Sequence, residues 1–405
     1  MPGALQHLRT NSSSANGKEV HMRPMILKNG NVLRNGQMSK GDVCIKDGKI
    51  ADQLDDNVAD CLVINATDLH VLPGIVDVHG DAFERQIMPR SGVSFDLPLA
   101  MQDTDMQLAA NGITTAFHGL TISWEPGLRS VENASRFMDA MRQLRTSFSV
   151  DHRVQLRWET FALDAVTDVA EWLLESPRPS LAFNDHTTST IKRVEAGNLK
   201  KLAGWASRCN LTPEEYIQMV YDMSARMDEV PEAIETLAKT ARDHDVAILS
   251  HDDVTAKDRT FYRALGATIS EFPMTHEALV EAKSASEHTV FGAPNVVRGG
   301  SHNGALCASE MVQEGLCTIL ASDYHYPSML QAAFKLVRDS DISLPDAWAL
   351  VSSNPAEAMG LNDRGSLEIG NRADVIIVDA KRKFPRTVVT ISGGKVSYLS
   401  HTEIL

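Results

Sequence analysis

Residues 72–81 read LPGIVDVHGD: a turn-forming Pro-Gly, a short apolar run rich in β-branched residues, then His79 and Asp81 where the run ends. A run of this length behind a turn signal predicts a buried β-strand whose last residues leave the core carrying reactive side chains. The same construction recurs in GITTAFHGL (112–120), RVQLRWE (153–159), SLAFNDH (180–186), VAILSHDD (246–253), ATISEFP (267–273), TVFGAPN (289–295) and CTILASDYH (317–325). Amphipathic stretches such as 213–245 and 328–340 lie between several of them. Eight strands with helical crossovers over 73–365 predict one (β/α)8 barrel of the TIM type, with a doubly wound open sheet as the alternative.

The outer segments are of another kind. Over 25–72 the β-branched runs are broken by Asn-Gly, Lys-Gly and Asp-Gly, which are hairpin signals. The stretch 366–405 repeats the style in RADVIIVD (372–379) and RTVVTISGGKVSYL (386–399). Together they predict a small β-sandwich domain assembled from both chain ends. Residues 1–24 are polar, have no apolar stretch of the kind a secretory signal needs, and read as a flexible tail.

Composition narrows the class. With 43% hydrophobic and 23% charged residues over 405 positions, the chain is neither disordered nor fibrous. Against 39 Lys and Arg stand 53 Asp and Glu, and the resulting charge of -14 argues against a general nucleic-acid or anionic-membrane surface. No apolar run approaches the ~18 residues of a membrane span. Five scattered cysteines without a CxxC pair read as reduced thiols of a cytoplasmic protein.

In a parallel barrel all strand C-termini open onto one face. His79, Asp81, His118, Glu159, Asp185, His186, His251, Asp253, Asp323 and His325 would therefore converge although they are far apart in the chain. Imidazoles mixed with carboxylates suit a divalent first-row metal, zinc first, with manganese or iron as alternatives. Burying so many ionisable groups without a cation would leave charges unpaired. His118, His302 and His325 read equally well as supporting, substrate-facing or structural residues.

These strings resemble the amidohydrolase superfamily of metal-dependent barrel hydrolases. LPGIVDVHGD, then ILASD (319–323), SSNPAEAMGL (352–361) and DRGSLEIGNRADVIIVD (363–379) follow that superfamily's order. Within it, HGDAFERQIMPRSGVSF (79–95), LRWE (156–159), FNDH (183–186), SHDD (250–253) and GAPNVVRGGSHNG (292–304) resemble the ribose 1-methylphosphonate 5-triphosphate diphosphatases of the carbon-phosphorus lyase pathway. The resemblance implies hydrolysis of that triphosphate to the 5-phosphate and pyrophosphate. It also implies that His79, Asp81, Glu159, His186, His251 and Asp323 hold one or two divalent ions, with Glu159 bridging and Asp323 as the catalytic acid-base.

The usual first-strand pair of histidines is here His79 and Asp81, a harder and more negative pair that suits phosphate chemistry. Trp124 and Trp158 are further departures and leave room for a divergent substrate. A triphosphate needs cations around it, and Arg85, Arg90, Lys192, Arg193 and Arg298 follow the strand ends. The Gly299–Gly300 pair beside Arg298, Ser301 and His302 could form an anion-binding nest. The partner this implies is a small phosphorylated sugar, with no nucleic acid and no membrane; a homodimer is left open. C–N bond hydrolysis on the same metal site and an inactive barrel scaffold are the rival readings.

Overall fold

The computed structural model describes residues 22–54, 61–197, 202–300 and 306–400. Strands β1 (Met25–Arg34), β2 (Gln37–Lys46) and β3 (Lys49–Ala51) form consecutive hairpins. Their turns are Asn35–Gly36 and Asp47–Gly48, with positive φ at both residues of each, as tight hairpins require. Two other hairpin signals serve differently. Asn29–Gly30 lies inside β1, where Asn29 takes φ 62° and the register with β2 shifts, and Lys40–Gly41 lies inside β2, with Gly41 opposite Gly30. The glycine at position 30 is required because a Cβ there would come within 2.4 Å of the Val71 side chain.

Strands β4 (Leu62–Asn65) and β5 (His70–Pro73) both run parallel to β1, and β5 delivers the chain to the barrel. Eight strands follow: β6 (Ile75–Gly80), β7 (Ile113–Ile122), β8 (Asp151–Glu159), β9 (Ser180–Asn184), β10 (Ala247–His251), β11 (Ile269–Glu271), β12 (His288–Gly292) and β13 (Ile319–Ala321). They are parallel and pair in sequence order. A bridge between Gly80 and Asp323 closes the circle, with Asp81 N donating to Asp323 O at 2.9 Å and Asp323 N to His79 O at 3.0 Å. The fold is the (β/α)8 barrel expected from the strand pattern.

One apolar cluster fills the barrel, with Phe117, Ala182, Leu249, Ile269, Val290 and Ile319 among its members. The outer layer is made by helices such as Val131–Leu144, Val230–Asp243 and Ser328–Asp339, each turning an apolar stripe inward. The amphipathic stretch 213–245 is two helices, Pro213–Ser224 and Val230–Asp243, the second having a proline in its first turn, where no amide hydrogen is needed.

After the barrel, β14 (Val375–Asp379), β15 (Arg386–Ser392) and β16 (Lys395–Leu399) return to the small domain. β14 pairs antiparallel with β5, so both chain ends share one eight-stranded sheet with its own core of Leu27, Ile45, Ile64, Val71, Val375 and Ile391. This sheet is tied to the N-terminal end of the barrel: Thr390 Oγ1 donates to Ala109 O at 2.7 Å and Ser397 Oγ to Ser149 O at 2.6 Å. Among the described residues no helix is long and apolar enough to cross a membrane.

Candidate functional site

Side chains alternate along β8, and that alternation builds the site. Val154, Leu156 and Trp158 join the apolar layer under the helices, so Gln155, Arg157 and Glu159 face the barrel interior. On the neighbouring strand a Cβ at Gly119 would stand 3.0 Å from the His79 ring, so the glycine makes room for that imidazole. His79 Nδ1 lies 2.7 Å from Gln155 Oε1 and 3.1 Å from Glu271 Oε1, and Gln155 Nε2 donates to Glu271 Oε1 at 2.8 Å. Burial works against a charged His79, but the Glu271 carboxylate overrides it and lifts the imidazole to about 9.

Glu271 closes a second contact. Its Oε2 is buried, has no hydrogen-bond partner, and lies 3.8 Å from His251 Nε2. His79, His251 and Glu271 can each offer a ligand atom within 4.8 Å of the others, and so can His79, Asp81 and Asp323. Two donor sets therefore share His79. A fully buried carboxylate oxygen left without a partner among imidazoles is what a cation site needs.

Asp323 follows β13 with φ 55°. A Cβ at Gly292 would approach Asp323 Oδ2 to 3.2 Å, so the glycine ending β12 gives the carboxylate its space. Burial first and the Asp81 carboxylate second raise the Asp323 carboxyl to about 7, with His79 and Arg157 pulling the other way. A carboxyl poised near neutrality can both take and return a proton. Positive φ recurs after β10 and β11, at Asp252 (61°) and Phe272 (52°). The Phe272 ring stands edge-on to His79 at 5.0 Å and to His251 at 5.3 Å, so a strained backbone residue fixes both imidazoles.

At the ends of β8 and β9 Glu159 accepts from Asn184 Nδ2 at 2.7 Å and from His186 N at 3.0 Å, and lies 2.7 Å from His186 Nδ1. Burial pushes Glu159 up, yet His186 holds it below the ordinary carboxylate range; Glu159 and Asp252 in turn lift the half-exposed His186 to about 9. Asp185 is not part of this set, because its carboxylate caps the helix His186–Glu195 by accepting from Thr188 N at 2.8 Å.

A cavity of about 300 Å³ opens over these groups. His79, Asp81, Glu159, His186, His251 and Asp323 all line it, as the strand-end reading expects. Its cations differ from those expected: they are Arg129, Arg157 and Arg208. Arg129 grips Glu84 through two hydrogen bonds of 3.0 and 2.9 Å, and Arg208 pairs with Glu125 at 2.9 Å, which also accepts from Tyr216 at 2.5 Å. Trp124 joins the wall, donating to Thr187 at 2.9 Å, whereas Trp158 is buried outside the barrel and donates to Ala162 O.

Arg85 and Arg298 are exposed and meet at Tyr324, the residue after Asp323: Arg85 donates to its carbonyl and Arg298 to its hydroxyl at 3.5 Å. Arg90 and Lys192 are exposed and do not line the cavity. Arg90 sits in a tight return onto Val93, and Lys192 is in the last turn of its helix, away from the strand end. Gly299 and Gly300 have φ of 79° and 145°, but Gly299 serves as the cap of the helix Ala293–Arg298. Ser301 and His302 lie outside the described residues. His118 points out of the barrel, 2.8 Å from His152 Nδ1, whose other nitrogen lies 2.9 Å from Asp105.

Residues 124–398 match the model of the Amidohydrolase family. The chain belongs to that family. It is 30% identical over 365 residues, 88% of this chain and 96% of the relative, to the alpha-D-ribose 1-methylphosphonate 5-triphosphate diphosphatase of Escherichia coli (strain K12). It is also 24% identical over 409 residues to a dihydroorotase of Lactobacillus gasseri, covering 88% of this chain and 89% of that one. Among solved structures, a Xaa-Pro dipeptidase with bound methionine in its active site superposes with a TM-score of 0.62 at 13% identity over 93% of this chain and 100% of that chain. An amidohydrolase superposes at 0.61 with 12% identity over 94% of this chain and 100% of that chain. As an amidohydrolase-family chain this is a hydrolase, and its two donor sets around His79 fit the divalent metals that members of the family generally bind.

Proposed function

We propose that the chain is a metal-dependent hydrolase that cleaves the α–β phosphoanhydride of α-D-ribose 1-methylphosphonate 5-triphosphate, giving the 5-phosphate and pyrophosphate. The observation that carries this reading is a single cavity in which two His and carboxylate donor sets face three arginines. The 30% identical diphosphatase, which spans nearly the whole chain, supports it.

His79, Asp81, Glu159, His186, His251 and Asp323, joined by Glu271, would hold one or two divalent ions, zinc first and manganese or iron next. When bound, such ions lower the pKa of a water ligand and stabilise charge on phosphoryl oxygens. The protein's own share is positioning and proton handling. Asp323, at the end of the last barrel strand and beside Asp81 and His79, is placed to take the proton of the attacking water and deliver it to the product side. Arg157, the cavity arginine not paired with a carboxylate among the described residues, compensates charge that spreads over the equatorial oxygens at the α-phosphorus. Trp124 and Tyr216 offer flat walls for the sugar. The reading takes a small phosphorylated sugar as partner in a cytoplasmic setting and uses neither nucleic acid nor membrane.

One observation favours a second reading. Arg129 and Arg208 are already neutralised by Glu84 and Glu125, and a cavity with fewer open cations suits a carboxylate-bearing amide, in keeping with the dihydroorotase relative. The test is pyrophosphate release from the ribose triphosphate by metal-loaded protein, run beside dihydroorotate and an N-acyl amino-acid panel. Pyrophosphate release supports the first reading; turnover confined to the C–N substrates replaces it by the second.

A further inference from the structure

One cavity arginine has no ion-pair partner among the described residues. Arg157 is 6% exposed, its Nε has no hydrogen-bond partner, and no carboxylate lies within 4.0 Å of its guanidinium among the described residues. Its direct partner across the parallel ladder is Thr121 of β7, which faces the same way. Thr121 is 3% exposed, and its Oγ1 is likewise buried without a partner. Both line the cavity. Neighbouring strands are about 4.8 Å apart, so the guanidinium and the hydroxyl can reach one small group between them.

Buried polar groups are almost always satisfied, and two orphans side by side in one wall call for a shared ligand. A guanidinium offers donors only, and a hydroxyl can add one more. We infer that Arg157 and Thr121 form an oxyanion subsite that receives a phosphoryl group of the substrate. Arg208 also has a buried Nε without a hydrogen-bond partner, but Arg208 and Arg129 are already paired with Glu125 and Glu84, whereas Arg157 is paired with no carboxylate among the described residues. Arg157 and Thr121 line the same cavity as His79, Glu159, His186, His251 and Asp323, so a group held there shares the cavity with the metal donors. The choice of a phosphoryl group rests on the diphosphatase reading; the same donors would accept a carboxylate if the C–N reading held.

The experiment is calorimetric titration of the metal-loaded protein with inorganic tripolyphosphate and, separately, with succinate, using wild type, Arg157→Met and Thr121→Val, with metal content and melting temperature recorded for each. The expected result is a loss of tripolyphosphate affinity of about tenfold or more for Arg157→Met and about threefold to tenfold for Thr121→Val, with metal content retained. Thr121→Val changes shape little at an unpartnered hydroxyl, so it decides the matter even if Arg157→Met fails to fold. Unchanged tripolyphosphate affinity in a folded, metal-loaded Thr121→Val protein would overturn the subsite, while leaving the diphosphatase reading to stand on pyrophosphate release. Losses seen with succinate and not with tripolyphosphate would overturn the phosphoryl assignment; the diphosphatase reading fails separately, on the absence of pyrophosphate release.

Discussion

At the floor of the barrel Asp151, which opens β8, receives Arg364 at 2.6 Å, Arg153 at 3.1 Å and Arg372 at 3.6 Å, and Arg364 also donates to Thr115. At the mouth of the same strand Arg157 has no such partner, nor has Thr121 beside it. Arg157 lies six positions along the same strand from Asp151. The floor spends its charges on one another and fastens the returning chain to the barrel; the mouth keeps buried groups open. Buried polarity that is fully paired reads as architecture, and buried polarity that is left over reads as a place for a ligand.

The contrast breaks most sharply at Asp323. Replacing it by Asn should lower turnover about 10²- to 10⁴-fold while the melting temperature stays near that of wild type. Unimpaired turnover in a steady-state assay would remove its acid-base role. Glu271→Gln should weaken metal binding by about 10- to 100-fold, read by chelator competition, because it alters both the buried oxygen near His251 and the carboxylate that orients His79.

Arg364→Met at the floor should do the reverse. It removes the 2.6 Å partner of Asp151 while Arg153 and Arg372 stay in place, and should cost about 1.5–3 kcal/mol in denaturant unfolding. Turnover per bound metal should be unchanged; a matching loss of turnover would blur the division between the two ends.

The smallest effect is one of pH. Burial raises the Asp151 carboxyl, but Arg153 and Arg364 more than offset this and hold it below the ordinary carboxylate range; His152 and Ser149 do the same for Asp105. For a depressed carboxylate the unfolded chain binds the proton more readily. The stabilisation is therefore complete above the unfolded value, about 3.9, and is lost as pH falls through the lower folded value. Melting temperature should drop below about pH 4, and Asp151→Asn should flatten that acid limb in a thermal-melt series.

The eight barrel strands were legible because each is an apolar, β-branched run behind a turn signal, and the strand-end rule picked six residues that line the cavity, four of them in the two donor sets. It passed over Glu271, although ISEFP has the same construction as the other strand ends, an apolar run closed by a carboxylate. Arg157 had a signal too: in VQLRWE the polar residues Gln155, Arg157 and Glu159 alternate with Val154, Leu156 and Trp158, the mark of a strand with one wet face. Attention to chain position after a strand favoured Arg90 and Lys192. Which loop cations fold back over the mouth depends on how the loops return, and neither spacing nor composition encodes that path. The same limit hid Arg129 and Arg208, which reach the cavity from the loop behind Trp124 and from the end of the helix Leu202–Arg208.

The central claim is that this mouth hydrolyses a phosphoanhydride. The direct measurement is pyrophosphate release by metal-loaded wild-type protein from α-D-ribose 1-methylphosphonate 5-triphosphate. The account predicts stoichiometric pyrophosphate and 5-phosphate, abolished by chelation and restored by added divalent metal; intact triphosphate under conditions where dihydroorotate or an N-acyl amino acid is turned over would contradict it.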